Sequence, residues 1–132
     1  MTKRGYADTE FGQVHYREAG EGSGIPLVLL HQGRSSGAQW DTCLGHFGER
    51  LRTLAPDNPG NGMSDKPARD LSIGDYARGY VSFLDALGIE KAHFLGQHPG
   101  ASIALELGAS FPTRVGKIVL WGLPAFDPVD AA

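Results

Sequence analysis

The sequence predicts an α/β protein, a mostly parallel sheet with helices packed on both faces. Three observations carry that reading. Short apolar blocks of strand length alternate with blocks whose apolar residues recur at helical spacing. Glycine and proline, 19 and 8 of 132 residues, exceed the usual combined share of about 12% and fall between those blocks. The run LVLL, Leu27–Leu30, is apolar without a break, which marks a strand buried on both faces.

Taken in order, FGQVHYRE, residues 11–18, alternates around Val14 and Tyr16 and reads as an edge or half-exposed strand. The alternation slips near Gly12. IPLVLLH, residues 25–31, reads as the central strand, with Pro26 tolerated where ladder hydrogen bonds have yet to begin. QGRSSGAQW then leads into a weak helical pattern through Trp40, Leu44 and Phe47, with Ser35 or Ser36 as its cap. LRTLAPD is the next strand and ends in the turn-rich NPGNGMSDKP. Ser72, with Asp75 three positions on, resembles a capping box. Ile73, Tyr76, Tyr80, Phe83, Leu84 and Leu87 follow at helical spacing, and Gly88 marks the stop. KAHFLG reads as a strand, PGASIALELGASF as a helix, and VGKIVLWG as a final strand.

This gives one early strand, three strand–helix units and a closing strand. Helical crossovers of that kind place helices on both faces of a parallel sheet. Ligands of such sheets gather at the carboxyl ends of the strands. Four loops are therefore expected on one rim: 31–33, 57–62, 96–100 and 122–126.

Composition narrows the function classes. With 12 basic and 15 acidic side chains, the net charge is −3, and no basic, aromatic stripe suits a nucleic acid. No run approaches the length of a membrane span, and the first residues, MTKRGYADTEFG, lack the apolar core of a secretory signal. A cytoplasmic chain without nucleic-acid or membrane partners is the expectation. Cys43 stands alone, so no internal disulfide is expected, and the histidines and carboxylates show no metal-ligand spacing. Neither metal nor cofactor is expected: GEGSG, residues 20–24, lacks the continuation of a phosphate loop, and Gly60-Asn61-Gly62 lacks the third glycine of a dinucleotide fingerprint.

The most informative stretch is Gly96-Gln97-His98-Pro99-Gly100. Its spacing is that of G-x-S-x-G, the sharp strand-to-helix turn that presents a nucleophile, but histidine stands in the central place. Ala101, Ala104 and Gly108 are spaced to let the following helix lie close to the sheet.

Together these features resemble the α/β-hydrolase fold family over nearly the whole chain. His31-Gln32-Gly33-Arg34 resembles the family's His-Gly oxyanion loop, with Gln32 intervening, and Trp40 stands where many relatives carry a tryptophan. Asp57-Asn58-Pro59-Gly60-Asn61-Gly62-Met63-Ser64 is similar to the family's Asp-x-Pro-Gly-x-Gly-x-Ser segment. Pro112-Thr113-Arg114-Val115 resembles its Pro-x-Arg-Val entry to a strand. The resemblance implies one domain, 1–132, related to hydrolases of small organic substrates such as an ester, epoxide or halide. It also implies C-terminal incompleteness, because the family's cap, later strands and helices, and late catalytic histidine would lie beyond residue 132. An apolar sheet edge left in this way is expected to give a homodimer or a poorly stable monomer.

The same resemblance puts His98 at the nucleophile position, with His31, Gly33, Arg34, Gln97 and Pro99 around the oxyanion loop or pocket. Asp127 is the nearby carboxylate for an acid, its other reading being a loop or tail residue. Imidazole cannot repeat the triad role of serine. Pro99 has no N–H, where the family takes one oxyanion donor, and loss of such a donor costs about 3 kcal/mol of transition-state stabilisation. Pro99 equally suits the first turn of a helix. Three readings of His98 follow: a residue of a binding or pseudoenzyme pocket, a base or orienting group in unconventional chemistry, or a packing element of the turn. A non-catalytic protein that binds a ligand or another protein is thus the alternative to a hydrolase.

Overall fold

In a computed structural model, residues 2–123 are described. They form one six-stranded sheet in the order β1-β2-β4-β3-β5-β6. The strands are β1 (Lys3–Thr9), β2 (Gly12–Ala19), β3 (Leu27–Leu30), β4 (Thr53–Pro56), β5 (Ala92–Gln97) and β6 (Val115–Trp121). The helices are α1 (Asp41–Gly48), α2 (Ile73–Ala86) and α3 (Pro99–Ser110). β1, β2 and β4 pair antiparallel, whereas β4, β3, β5 and β6 run parallel.

β3 shows why its apolar run is unbroken. Val28 and Leu30 enter the larger core with Leu54, Phe83, Phe94, Ile103 and Leu107. Leu29 faces the opposite cluster with Trp40, Leu44 and Ala55. Side chains alternate across a strand, so both faces of β3 are filled, one by α2 and α3 and the other by α1. Burying a side chain of this kind contributes about 1.5–3 kcal/mol, so these two clusters account for much of the drive to fold.

Two expectations need correction at the amino end. The sequence reading placed a single strand before β3, but β1 precedes it and pairs with β2 along its length. β1, KRGYADT, escapes a periodicity test because Ala7 alone is buried in it and Tyr6 is 49% exposed. The strand around Val14 is consequently internal, between β1 and β4. The slip near Gly12 has a simple cause: Gly12 opens β2, and Phe11 lies in the preceding turn against Gly79 of α2.

Local signals in the middle of the chain fare better. Ser72 Oγ accepts from the Asp75 amide, and Asp75 Oδ2 accepts from the Ser72 amide, completing a capping box. Hydrogen bonding from Arg69 and from the Ser72 amide holds the Asp75 carboxyl well below the usual carboxylate range. Ser36 caps a short 3-10 turn, Gly37–Trp40, that leads directly into α1. Phe47, assigned to the apolar stripe of that helix, is 36% exposed, which leaves Trp40 and Leu44 to anchor it. Along β6, Val119, Leu120 and Trp121 are exposed among the described residues.

Candidate functional site

The rim at the carboxyl ends of the parallel strands is held together by a buried carboxylate. Asp57 follows β4 directly and is 1% exposed. Its Oδ1 accepts from the Gly37 amide at 2.7 Å, and its Oδ2 from the Met63 amide at 2.9 Å. The His15 ring lies 3.0 Å from Oδ2 through Nδ1. A carboxylate can only accept and a guanidinium can only donate. Nδ1 of His15 therefore donates to Asp57, while Nε2 accepts from Arg4 Nε at 3.3 Å. Arg17 Nη1 stands 3.7 Å from Oδ1. One side chain thus joins the hairpin, the loop after β4 and the turn before α1.

The neighbouring Asn58 ties in the loop after β3. Its amide donates to His31 Nε2 at 2.9 Å, and its side-chain oxygen accepts from the Tyr80 hydroxyl of α2. His31 Nδ1 lies 2.6 Å from the Gln32 carbonyl. Both partners fix the neutral tautomer that carries its proton on Nδ1, and burial lowers the His31 pKa below its ordinary value. Burial likewise pushes the Tyr80 hydroxyl upward. His31 is therefore a neutral fastener of the loop.

The elbow, the turn between β5 and α3, has the opposite character. His98 takes φ 53° and ψ −118°, a conformation that side-chain-bearing residues occupy only under strain. Its amide donates to the Trp121 carbonyl at 3.0 Å, and its carbonyl accepts from the amides of Ala101 and Ser102. Pro99 opens α3 at the first helical position, where its missing N–H leaves no gap in the ladder. The flanking glycines are required by space. A Cβ on Gly96 would lie 2.2 Å from the Gly100 carbonyl oxygen, and one on Gly100 would lie 2.4 Å from the Leu30 oxygen. Close packing continues along α3, where a Cβ on Gly108 would meet Ile118 at 2.6 Å.

The structure brings most sequence-selected residues to this rim. Gly33 adjoins Pro99, and Gly122 lies against the His98 ring. Gly33, Arg34, His98 and Pro99 are exposed, and Gln97 is half-buried. Among the described residues, Arg34 is the other non-glycine residue with positive φ, at 55°, which gives the loop after β3 its sharp bend. Asp127, and the part of the fourth loop after residue 123, lie outside the described residues. The other histidines stand apart from the elbow. His46 is exposed in α1, and His93 Nδ1 accepts from the Lys117 amide at 2.8 Å, filling the irregular register between β5 and β6.

Sequence reasoning missed Gln39. Its Oε1 accepts from the Gln32 amide at 3.1 Å, and its Nε2 donates to Gln97 Oε1 at 2.6 Å. It therefore bridges the loop after β3 and the elbow. Periodicity could not show it, because it sits in a 3-10 turn one residue before the buried Trp40. Trp40 in turn meets Trp121, with ring centroids 6.4 Å apart.

No group of three or more His, Cys, Asp or Glu side chains suited to a metal ion occurs among the described residues. No described helix is long and apolar enough to cross a membrane. A cleft of about 510 Å³, lined in part by Ser23, Pro26, Arg52 and Lys91, opens at the amino ends of β3 and β5, away from the elbow.

The family of alpha/beta hydrolase fold proteins matches residues 25–132. The chain belongs to that family. It is 35% identical over 114 residues to a 2-hydroxy-6-oxo-6-phenylhexa-2,4-dienoate hydrolase of Comamonas testosteroni, covering 83% of this chain and 39% of the relative. Among solved structures, the epoxide hydrolase CorEH superposes with a TM-score of 0.88 at 25% identity, over 99% of this chain and 48% of that one. Carboxylesterase CesB from Bacillus subtilis superposes with a TM-score of 0.85 at 30% identity, over 91% of this chain and 42% of that one. The chain thus spans less than half the length of each. The frame is that of the hydrolase fold; the residue at the apex of the turn between β5 and α3 is histidine.

Proposed function

We propose that this α/β-hydrolase-family chain presents a rim that binds a small organic molecule of the ester, epoxide or halide class without forming a serine-type acyl intermediate. His98 contacts the ligand there as a hydrogen-bonding group. The observation that carries this reading is the turn itself, with an exposed imidazole at its apex and a proline directly after it. In acyl transfer the oxyanion is held by preorganised donors, one of them the amide after the nucleophile. Pro99 supplies no such donor, so charge developing on an acyl adduct of His98 is poorly compensated. Two of the relatives' names support the ester and epoxide part of that class, since they are a carboxylesterase and an epoxide hydrolase.

The test is a panel of ester, epoxide and haloalkane substrates on the full-length polypeptide, with tryptophan emission followed in parallel. Trp121 is 56% exposed, and its carbonyl accepts the His98 amide, so it reports directly on the elbow. Saturable quenching that His98→Ala abolishes, with no turnover dependent on His98, is expected. Turnover that disappears in His98→Ala would instead make the histidine part of an unconventional reaction.

A further inference from the structure

The bridge made by Gln39 fixes which end of the Gln97 carboxamide is left for a ligand. A backbone N–H can only donate. The atom of Gln39 that faces the Gln32 amide at 3.1 Å must therefore be its oxygen. The other end of Gln39 is then its NH2, which can only donate, so the atom of Gln97 that it meets at 2.6 Å must be an oxygen. This orientation follows from partners and does not depend on telling nitrogen from oxygen by shape. Gln97 is left with its Nε2, bearing two N–H groups. Among the described residues that nitrogen has no hydrogen-bond acceptor.

Its place in the chain matters. Gln97 closes β5 and immediately precedes His98, and the missing donor at Pro99 is two residues away. We propose that Gln97 Nε2, oriented through Gln39, is a donor for an acceptor oxygen of the bound molecule, a carboxylate or a carbonyl. The proposal rests on the binding rim inferred above and sharpens it by naming the chemistry recognised. It makes Gln97 a ligand-contacting residue and Gln39 a positioning residue. The polar chain from the Gln32 amide through Gln39 to Gln97 is preorganised before any ligand arrives, which reduces the ordering cost of binding.

A shape-preserving probe of this logic is Gln39→Glu, which adds one negative charge. Glutamate still accepts from the Gln32 amide, but its second oxygen cannot donate to Gln97. The Gln97 carboxamide then turns over to donate to it, and its carbonyl replaces its NH2 on the ligand side. The experiment uses the isotope-labelled full-length polypeptide, titrated with acetate as the carboxylate and methyl acetate as the neutral carbonyl. Shifts of the Gln97 side-chain NH2 and of the His98 ring are followed by NMR.

In the unmutated protein, scalar coupling through the hydrogen bond is expected from Gln39 Nε2 to the Gln97 side-chain carbonyl carbon. This readout requires no variant to fold. Acetate is expected to shift both the Gln97 NH2 and the His98 ring, with affinity falling about tenfold in Gln97→Leu and in Gln39→Glu. Methyl acetate follows the same order if the recognised oxygen is a carbonyl, and acetate alone does so if it is a carboxylate. Coupling in the reverse direction, from Gln97 Nε2 to Gln39, overturns the proposal. Acetate that perturbs His98 with undiminished affinity in Gln97→Leu also overturns it while leaving the binding rim standing. If neither probe perturbs His98 in any form of the protein, the rim and the Gln97 role both fall.

Discussion

The loops after β4 and after β5 lie on either side of β3 at the same end of the sheet, and they are built on opposite plans. After β4, Asp57 and Asn58 are buried and held by side-chain and backbone partners from β2, the loop after β3, the turn before α1, and α2. After β5, His98 is exposed and held in a strained backbone conformation by its neighbours. Both segments are rich in glycine and proline. What separates them is the fate of their polar side chains: buried on internal partners in the first, whereas the His98 ring of the second is exposed. The first region holds the frame, and the second stores strain at the rim where we propose that a ligand binds.

The largest expected effect comes from breaking the first region. Asp57→Ala removes the acceptor for His15 Nδ1 and for the Gly37 and Met63 amides, leaving those donors unpaired in a buried setting, while Arg17 keeps its ion pair with Asp41. Loss of one partner from a buried charged network typically costs about 3–5 kcal/mol, and urea unfolding should show a loss of that order. A change within experimental error would mean that the hub is dispensable and the contrast false.

The second region should respond in the opposite direction. His98→Gly relieves a conformation whose strain is of order 1–3 kcal/mol, while keeping the amide bonded to Trp121. A gain in stability of about 1 kcal/mol is expected by the same measurement, together with loss of ligand quenching. A destabilised glycine variant would show that the imidazole chiefly packs the turn.

The smallest effect concerns acid. Burial lowers the His31 pKa in the folded protein relative to its unfolded value near 6.5. The unfolded chain then binds the proton more readily. The contribution of neutral His31 is complete above the unfolded value, declines as pH falls through it, and is gone below the folded pKa. Unfolding free energies at pH 7.5 and 5.5 should therefore fall with acid more steeply in the native sequence than in His31→Gln. Equal slopes would remove His31 from the acid response.

Much of the frame was legible because its signals are local. The unbroken LVLL run, the Ser72–Asp75 box and the small residues of α3 each have a single physical cause that acts over a few positions. β1 was not legible, since a strand that buries one alanine has no hydrophobic period to read. At the site, His98 and Pro99 stood out through spacing and covalent chemistry. The roles of His15 and Gln39 depend on partners 42 and 58 residues away, and no local pattern encodes those pairings. His15 meets Asp57 only because β2 and β4 pair in their particular register.

The account turns on the claim that the frame is intact while the elbow lacks what acyl chemistry needs. Labelling of the full-length polypeptide by a fluorophosphonate, read by intact mass, tests this most directly across the native sequence, His98→Ser, and His98→Ser combined with Pro99→Gly. No adduct in the native protein, slow labelling of the single variant, and labelling faster by roughly 10²–10³ once an amide N–H returns at position 99 is the expected series. Stoichiometric labelling of native His98, or a single variant that reacts as fast as the double, would contradict it.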